Sequence, residues 1–256
     1  MPNASHPASH VGRRRMPVWI GMASWFYLAR MGGGMSAMGG GASEHAGMAM
    51  GGDGLEALVT AFAMWAVMMT AMMLPTVAPS AVVFSSLAAR RDPGRGDRAT
   101  ALYVAGYGGA WIAFAAPAAS MQWALTHYWL LDPMGQSTSA LLSSAILLAA
   151  GAYQFTPLKS ACLSKCRTPL GFLMAEWRDG ASGAFRLGLH HGGYCVACCW
   201  TLMAVMFVVG AMNLVWMAML TLLVLCEKIV PARWRLDRAV GVTLLGLGAW
   251  LAVGAY

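Results

Sequence analysis

Long runs without Asp, Glu, Lys or Arg constrain this chain more than any other feature: residues 57–89, 99–126, 139–158, 192–226 and 239–256 carry none. Each meets or exceeds the length needed to cross a hydrocarbon core, roughly 17–25 residues. The run 192–226 is long enough for two short spans, with a turn at Gly210-Ala211-Met212-Asn213. At 59% hydrophobic and 11% charged, the chain lies outside the composition of a soluble globular domain. The expectation is an all-α fold, a polytopic transmembrane helical bundle set in the lipid bilayer. It has seven spans if residues 16–35 form the first, and six if that segment is a cleaved signal peptide or is not inserted.

The net charge of +7 suggests nucleic acid until positions are read. The basic residues fill short loops between apolar runs: Arg13, Arg14 and Arg15; Arg90, Arg91, Arg95 and Arg98; Lys159, Lys165, Arg167, Arg178 and Arg186; Lys228, Arg233, Arg235 and Arg238. With a first span at 16–35, all but Arg30 fall on one side, which the positive-inside rule makes cytoplasmic. No nucleic-acid partner is expected. The expected location is a bacterial inner (cytoplasmic) membrane, with the N-terminus in the cytoplasm and the C-terminus outside.

Residues 1–15 are expected to be a disordered cytoplasmic N-terminus, and 16–256 a single helical membrane domain. Within it, 31–54 is a Met/Gly-rich outer loop and 156–193 a cytoplasmic loop. Pro75 and Pro79 are expected to kink the second span. Gly106, Gly108 and Gly109 suit close helix approach in the third.

The cysteines form two groups, Cys162 with Cys166, and Cys195 with Cys198 and Cys199; Cys226 stands apart and reads as packing. Spacings of three and four put each group on one helical face. Two such faces meeting at the cytoplasmic membrane surface would gather four or five sulfurs. Polarizable thiolates select soft ions, Cu(I) first and Zn(II) second. His190 and His191 could add imidazole. Met64, Met68 and Met72, with Met69 and Met73 beside them, form thioether rows along the second span. The outer loop adds Met31, Met35, Met38, Met48, Met50 and His45 as a capture region. For any one methionine, flexible apolar filling is the simpler explanation.

No phosphate-binding glycine loop, Ser/His/Asp set or carboxylate pair appears, so neither ATP-driven transport within this chain nor an enzyme is indicated. Glu227 and Lys228 read as a local pair or as interfacial residues. Taken alone, the residues point to handling or transport of a soft metal, with a metallochaperone or membrane protein as possible partner. Two alternatives stay open: membrane thiol-disulfide exchange, and an accessory or assembly subunit whose metal site is structural.

Several motifs sharpen this. They are Met64-Trp-Ala-Val-Met-Met with Ala71-Met-Met-Leu-Pro75, Gly106-Tyr107 with Trp111, Tyr153-Gln154 with Thr156-Pro-Leu-Lys159, Cys162-Leu with Cys166-Arg167, and Cys195-Val with Cys198-Cys-Trp200. Together they resemble an uncharacterised bacterial family of predicted metal-binding integral membrane proteins, from about Leu55 to Lys228. The resemblance implies a polytopic helical membrane protein with soft-metal sites. Ala197 departs from it, standing where glycine is expected.

Overall fold

The computed structural model describes residues 54–254 apart from 93, 133, 134 and 212. The expected first span, the N-terminal segment and the outer loop with His45 and its methionines lie outside the described residues. Within them the chain is helical: α1 Leu55–Arg91, α2 Gly96–His127, α3 Ala140–Tyr153, α4 Pro157–Arg167, α5 Pro169–Ala175, α6 Gly180–Ala204, α7 Met206–Val209, α8 Leu214–Ile229 and α9 Leu236–Gly254. The described residues contain no strand, only an isolated bridge between Leu131 and Ser137.

Local chemistry sets several boundaries. The Ser139 side chain accepts from Leu142 N to start α3, and Asn213 accepts from Val215 N and Trp216 N to start α8, each satisfying donors that a helix end leaves open. Thr156 does the same for α4, accepting from Lys159 N with Pro157 in the first turn. The residue before a proline is driven out of the α region, and Thr156 is extended. That ends the expected fourth span, residues 139–158, at Tyr153, and α4 continues at a bend of 65°. By contrast α1 stays helical through Pro75 and Pro79. There the hydroxyls of Thr76 and Ser80 donate to the carbonyls of Met73 and Val77.

Four helical stretches are long and apolar enough to cross a membrane: Leu55–Arg91, Gly96–His127, Gly180–Val209 and Ala232–Gly254. The bent α3–α4 pair makes a fifth if it is one span. α8 has 16 residues, about 24 Å at 1.5 Å per residue, short of a typical core of about 30 Å. The described residues thus fall short of a clear count of seven. The segment 156–193, expected as a loop, instead contains α4, α5 and the first half of α6. Cys195 therefore lies near the middle of a long helical stretch, about 22 Å from the start of α6, where the sequence had put it close to a membrane surface.

α2 packs against both α1 and α6, and α9 packs on α3. The α2–α6 crossing is close because it is built on glycine. A Cβ on Gly188 would stand 1.9 Å from the Tyr103 carbonyl oxygen, and one on Gly106 would stand 2.1 Å from that of Phe185. Gly192, one turn after Gly188, meets Ala110 Cβ at 2.6 Å in the same sense. This small-residue stripe lets two backbones touch. It brings Tyr103 and Tyr107 of α2 onto His191 and Cys195 of α6.

Candidate metal centre

Two buried helical faces supply the sulfurs. On α4 the buried residues Lys159, Cys162, Leu163 and Cys166 follow the i, i+3, i+4, i+7 stripe of an amphipathic helix. On α6, His191, Cys195, Cys198, Cys199 and Leu202 continue one buried face. Where the faces meet, the sulfurs of Cys166, Cys195 and Cys198 lie within 4.8 Å of one another, all buried. Cys162 and Cys199 are buried beside them but are not members of that group. Cys226 is only half-buried. All six cysteines are free thiols.

Cys195 sits at the centre of a polar network that the sequence did not reveal. Its Sγ accepts from Tyr107 Oη at 3.1 Å and from Lys228 Nζ at 3.1 Å. The same ammonium donates to Thr76 Oγ1 at 2.8 Å and lies 3.4 Å from Tyr107 Oη, so its three N–H groups find three acceptors. A sulfur receiving two hydrogen bonds, one from a cation, is matched to carrying negative charge. The thiols of Cys198 and Cys199 donate to the Cys195 carbonyl at 3.1 and 2.9 Å.

His191, one turn before Cys195, bonds through Nδ1 to the Tyr103 hydroxyl at 2.5 Å, with Ser80 Oγ at 3.5 Å. Its Nε2 is buried without a protein partner. Orphaned buried nitrogens are uncommon and call for an explanation such as an ion. The donor set is therefore three sulfurs with an unsatisfied imidazole nitrogen one turn away. That chemistry fits a soft or borderline cation and does not fit a hard one, which takes oxygen ligands.

A buried ion pair fixes the helices around this set. Lys159 Nζ donates to both carboxylate oxygens of Glu227, at 2.8 and 2.9 Å, and to Gln154 Oε1. Arg167 Nε donates to the Glu227 carbonyl at 2.7 Å. Glu227 and Lys228 do not pair with each other as the sequence suggested. Neighbouring residues on a helix point about 100° apart, so Glu227 turns to α4 and Lys228 to Cys195.

The methionine rows lie in the core of α1. Met68, Met69, Met72 and Met73 are buried and Met64 is half-buried. None belongs to the sulfur trio, but Met73 touches its network: Thr76 Oγ1 is 3.8 Å from Met73 Sδ and accepts from Lys228. The residues missed at the sequence level are Thr76, Tyr107 and Lys228, with the orphaned nitrogen of His191. One signal did exist, a Glu-Lys pair closing an otherwise uncharged run, where ionisable groups are costly and so usually functional.

No curated protein and no solved structure matches this chain. The sequence profile of one family, described as a copper chaperone, does match, and it covers residues 62–251, a range that holds every cysteine and the whole polar network. The chain belongs to this PpoB2 copper chaperone family, and its buried cysteine cluster fits copper binding.

Proposed function

We propose that the protein is a multi-span membrane carrier that receives copper as Cu(I) and holds it transiently on Cys166, Cys195 and Cys198. The observation that carries this reading is the convergence of three buried sulfurs within 4.8 Å beside a buried ammonium. Cu(I) is satisfied by two or three soft ligands, whereas structural Zn(II) sites are closed by four. With two of the three sulfurs as thiolates and the third as a neutral thiol, the Cu(I) site carries one negative charge, which Lys228 balances inside the protein. His191 Nε2, buried without a protein partner one turn before Cys195, is a candidate for a further donor.

The methionine rows supply weak neutral sulfur ligands leading toward this centre. They run along α1 from Met64 to Met73, and Met73 abuts the Thr76–Lys228–Cys195 network. Loading through thioethers toward thiolates follows rising affinity. Membrane embedding is supported by the long apolar helices and by large apolar side chains exposed along them, among them Val59, Trp250 and Val253. The basic segments at 90–98 and 233–238 then face the cytoplasm, and a soluble metallochaperone or membrane protein exchanges the metal.

Cu(I) titration of the full chain, purified in detergent under anaerobic reducing conditions, tests this. The expected result is one copper per chain with sulfur as the scattering ligand in X-ray absorption, lost in the C166S/C195S/C198S variant. Absence of Cu(I) binding, or full stoichiometry in that variant, would refute it.

A further inference from the structure

Away from the sulfurs, an open groove of about 360 Å³ runs between the end of α1, the start of α2 and the turn that leads into α6. Ala99, Leu102 and Trp177 give it an apolar floor, backed by the buried Phe84, and Arg91, Arg95, Arg98 and Arg178 stand on its rim. Asp92 and Asp179 share that rim. Asp92 Oδ1 accepts from Gly94 N, while Asp179 accepts from Trp177 Nε1 and lies 3.7 Å from Arg91. Four guanidiniums against two carboxylates leave the groove formally cationic.

Its geometry is braced before any ligand arrives. The Arg91 guanidinium lies 4.6 Å over the Trp177 ring. Trp177 stacks on Phe84 at 5.2 Å, and Phe84 on Tyr103 at 4.6 Å. An arginine held this way presents its remaining N–H groups in the planar fork that matches phosphate oxygens. An apolar floor beneath a cationic rim suits an amphiphile with an anionic head. An inorganic ion would use the rim and leave the floor wet.

We propose that this groove binds the phosphate headgroup of an acidic phospholipid, with the glycerol and first acyl carbons resting on Ala99 and Leu102. The occupant comes from the bilayer because the rim lies at the basic ends of α1 and α2, where the cytoplasmic leaflet carries anionic lipid and attracts clustered arginines. This rests on the membrane reading above and is independent of the copper site.

Native mass spectrometry of the full chain in detergent is the test, with phosphatidylglycerol, phosphatidylcholine or inorganic phosphate added separately. One phosphatidylglycerol should be retained, at least tenfold more tightly than phosphatidylcholine. The R95Q/R98Q/R178Q variant should lose at least tenfold of that affinity while still binding one copper. R98E alone, a milder change at an exposed position, should lose at least threefold. Equal retention of the two lipids, unchanged binding in both variants, or inorganic phosphate competing as strongly as the lipid would overturn the proposal. Release of the chain from membranes by alkaline carbonate would instead overturn the membrane reading beneath it.

Discussion

The α2–α6 crossing and the α3–α9 pair use the same packing chemistry for different ends. Both bring helices together on glycine: Gly106, Gly188 and Gly192 in the first, Gly151, Gly241 and Gly248 in the second. The first carries Tyr103, Tyr107, His191 and Cys195 into a buried polar network. Between α3 and α9 the side-chain hydrogen bond is a single one, from Ser144 Oγ to the Gly248 carbonyl at 2.8 Å, and along α9 the buried residues are the two glycines Gly241 and Gly248. Close helix contact is therefore scaffold in both regions. Chemistry belongs to the crossing whose polar side chains travel with it.

The sharpest way to break this contrast is to remove the buried α4–α8 ion pair that braces the metal centre and, separately, the polar anchor of the α3–α9 pair. Lys159→Met strands the Glu227 carboxylate in the core, where loss of one partner of a buried pair costs about 3–5 kcal/mol. The K159M/E227M double variant should recover most of that. Ser144→Ala, by comparison, removes one neutral hydrogen bond, worth about 1 kcal/mol. Thermal unfolding in detergent compares the three. Equal losses for K159M and S144A would erase the distinction.

Next come the glycines. A Cβ on Gly188 meets a backbone oxygen at 1.9 Å, so Gly188→Ala must push α2 and α6 apart. Overpacking of that kind costs about 1–3 kcal/mol or more. The separation should also loosen the contact of Tyr107 with Cys195, and copper affinity should fall with stability. For Gly248→Ala the nearest atom is Leu148 Cγ at 2.9 Å, the movable part of a side chain, although Leu148 N follows at 3.0 Å. Its cost should be smaller and copper binding unchanged. Loss of copper affinity in G248A but not in G188A would reverse the assignment.

What the sequence made legible follows the same division. Helical class and the two cysteine faces were readable because periodicity and residue type are local: Cys162 with Cys166, and Cys195 with Cys198. The meeting of Cys166 with Cys195 and Cys198 was an expectation that needed tertiary structure, because nothing within α4 fixes its angle to α6. The start of α6 was misjudged because Arg178 and Arg186 made the segment look like a loop, although amphipathic basic residues continue a helix easily. Lys228 was hidden for a related reason. Counting it as a loop charge was natural at the end of an apolar run, and only the one-residue rotation from Glu227 turns it inward.

Lys228 gives the third prediction. In K228M the Cys195 sulfur loses an ammonium donor at 3.1 Å, and negative charge in the loaded site loses its balancing cation. Substitutions of groups that contact metal ligands typically cost 10–100-fold in affinity. Cu(I) affinity should fall about tenfold, which is about 1.4 kcal/mol. A competing colorimetric Cu(I) chelator reads this. Unchanged affinity would mean that the ammonium serves folding alone.

The smallest effect sharpens the comparison most cleanly. Gly193 in α6 and Gly246 in α9 have no atom within 4 Å of a built Cβ, so neither serves a close approach. Both sit inside helices, where alanine is favoured over glycine by up to about 1 kcal/mol. Gly193→Ala and Gly246→Ala should each hold or slightly raise the unfolding temperature and leave copper stoichiometry at the wild-type value, although Gly193 lies only two residues from Cys195. If G193A lowers copper affinity while G246A does not, position on α6 matters beyond contact. The crossing would then be tuned by helix dynamics around the thiols, and the touching glycines would explain only part of it.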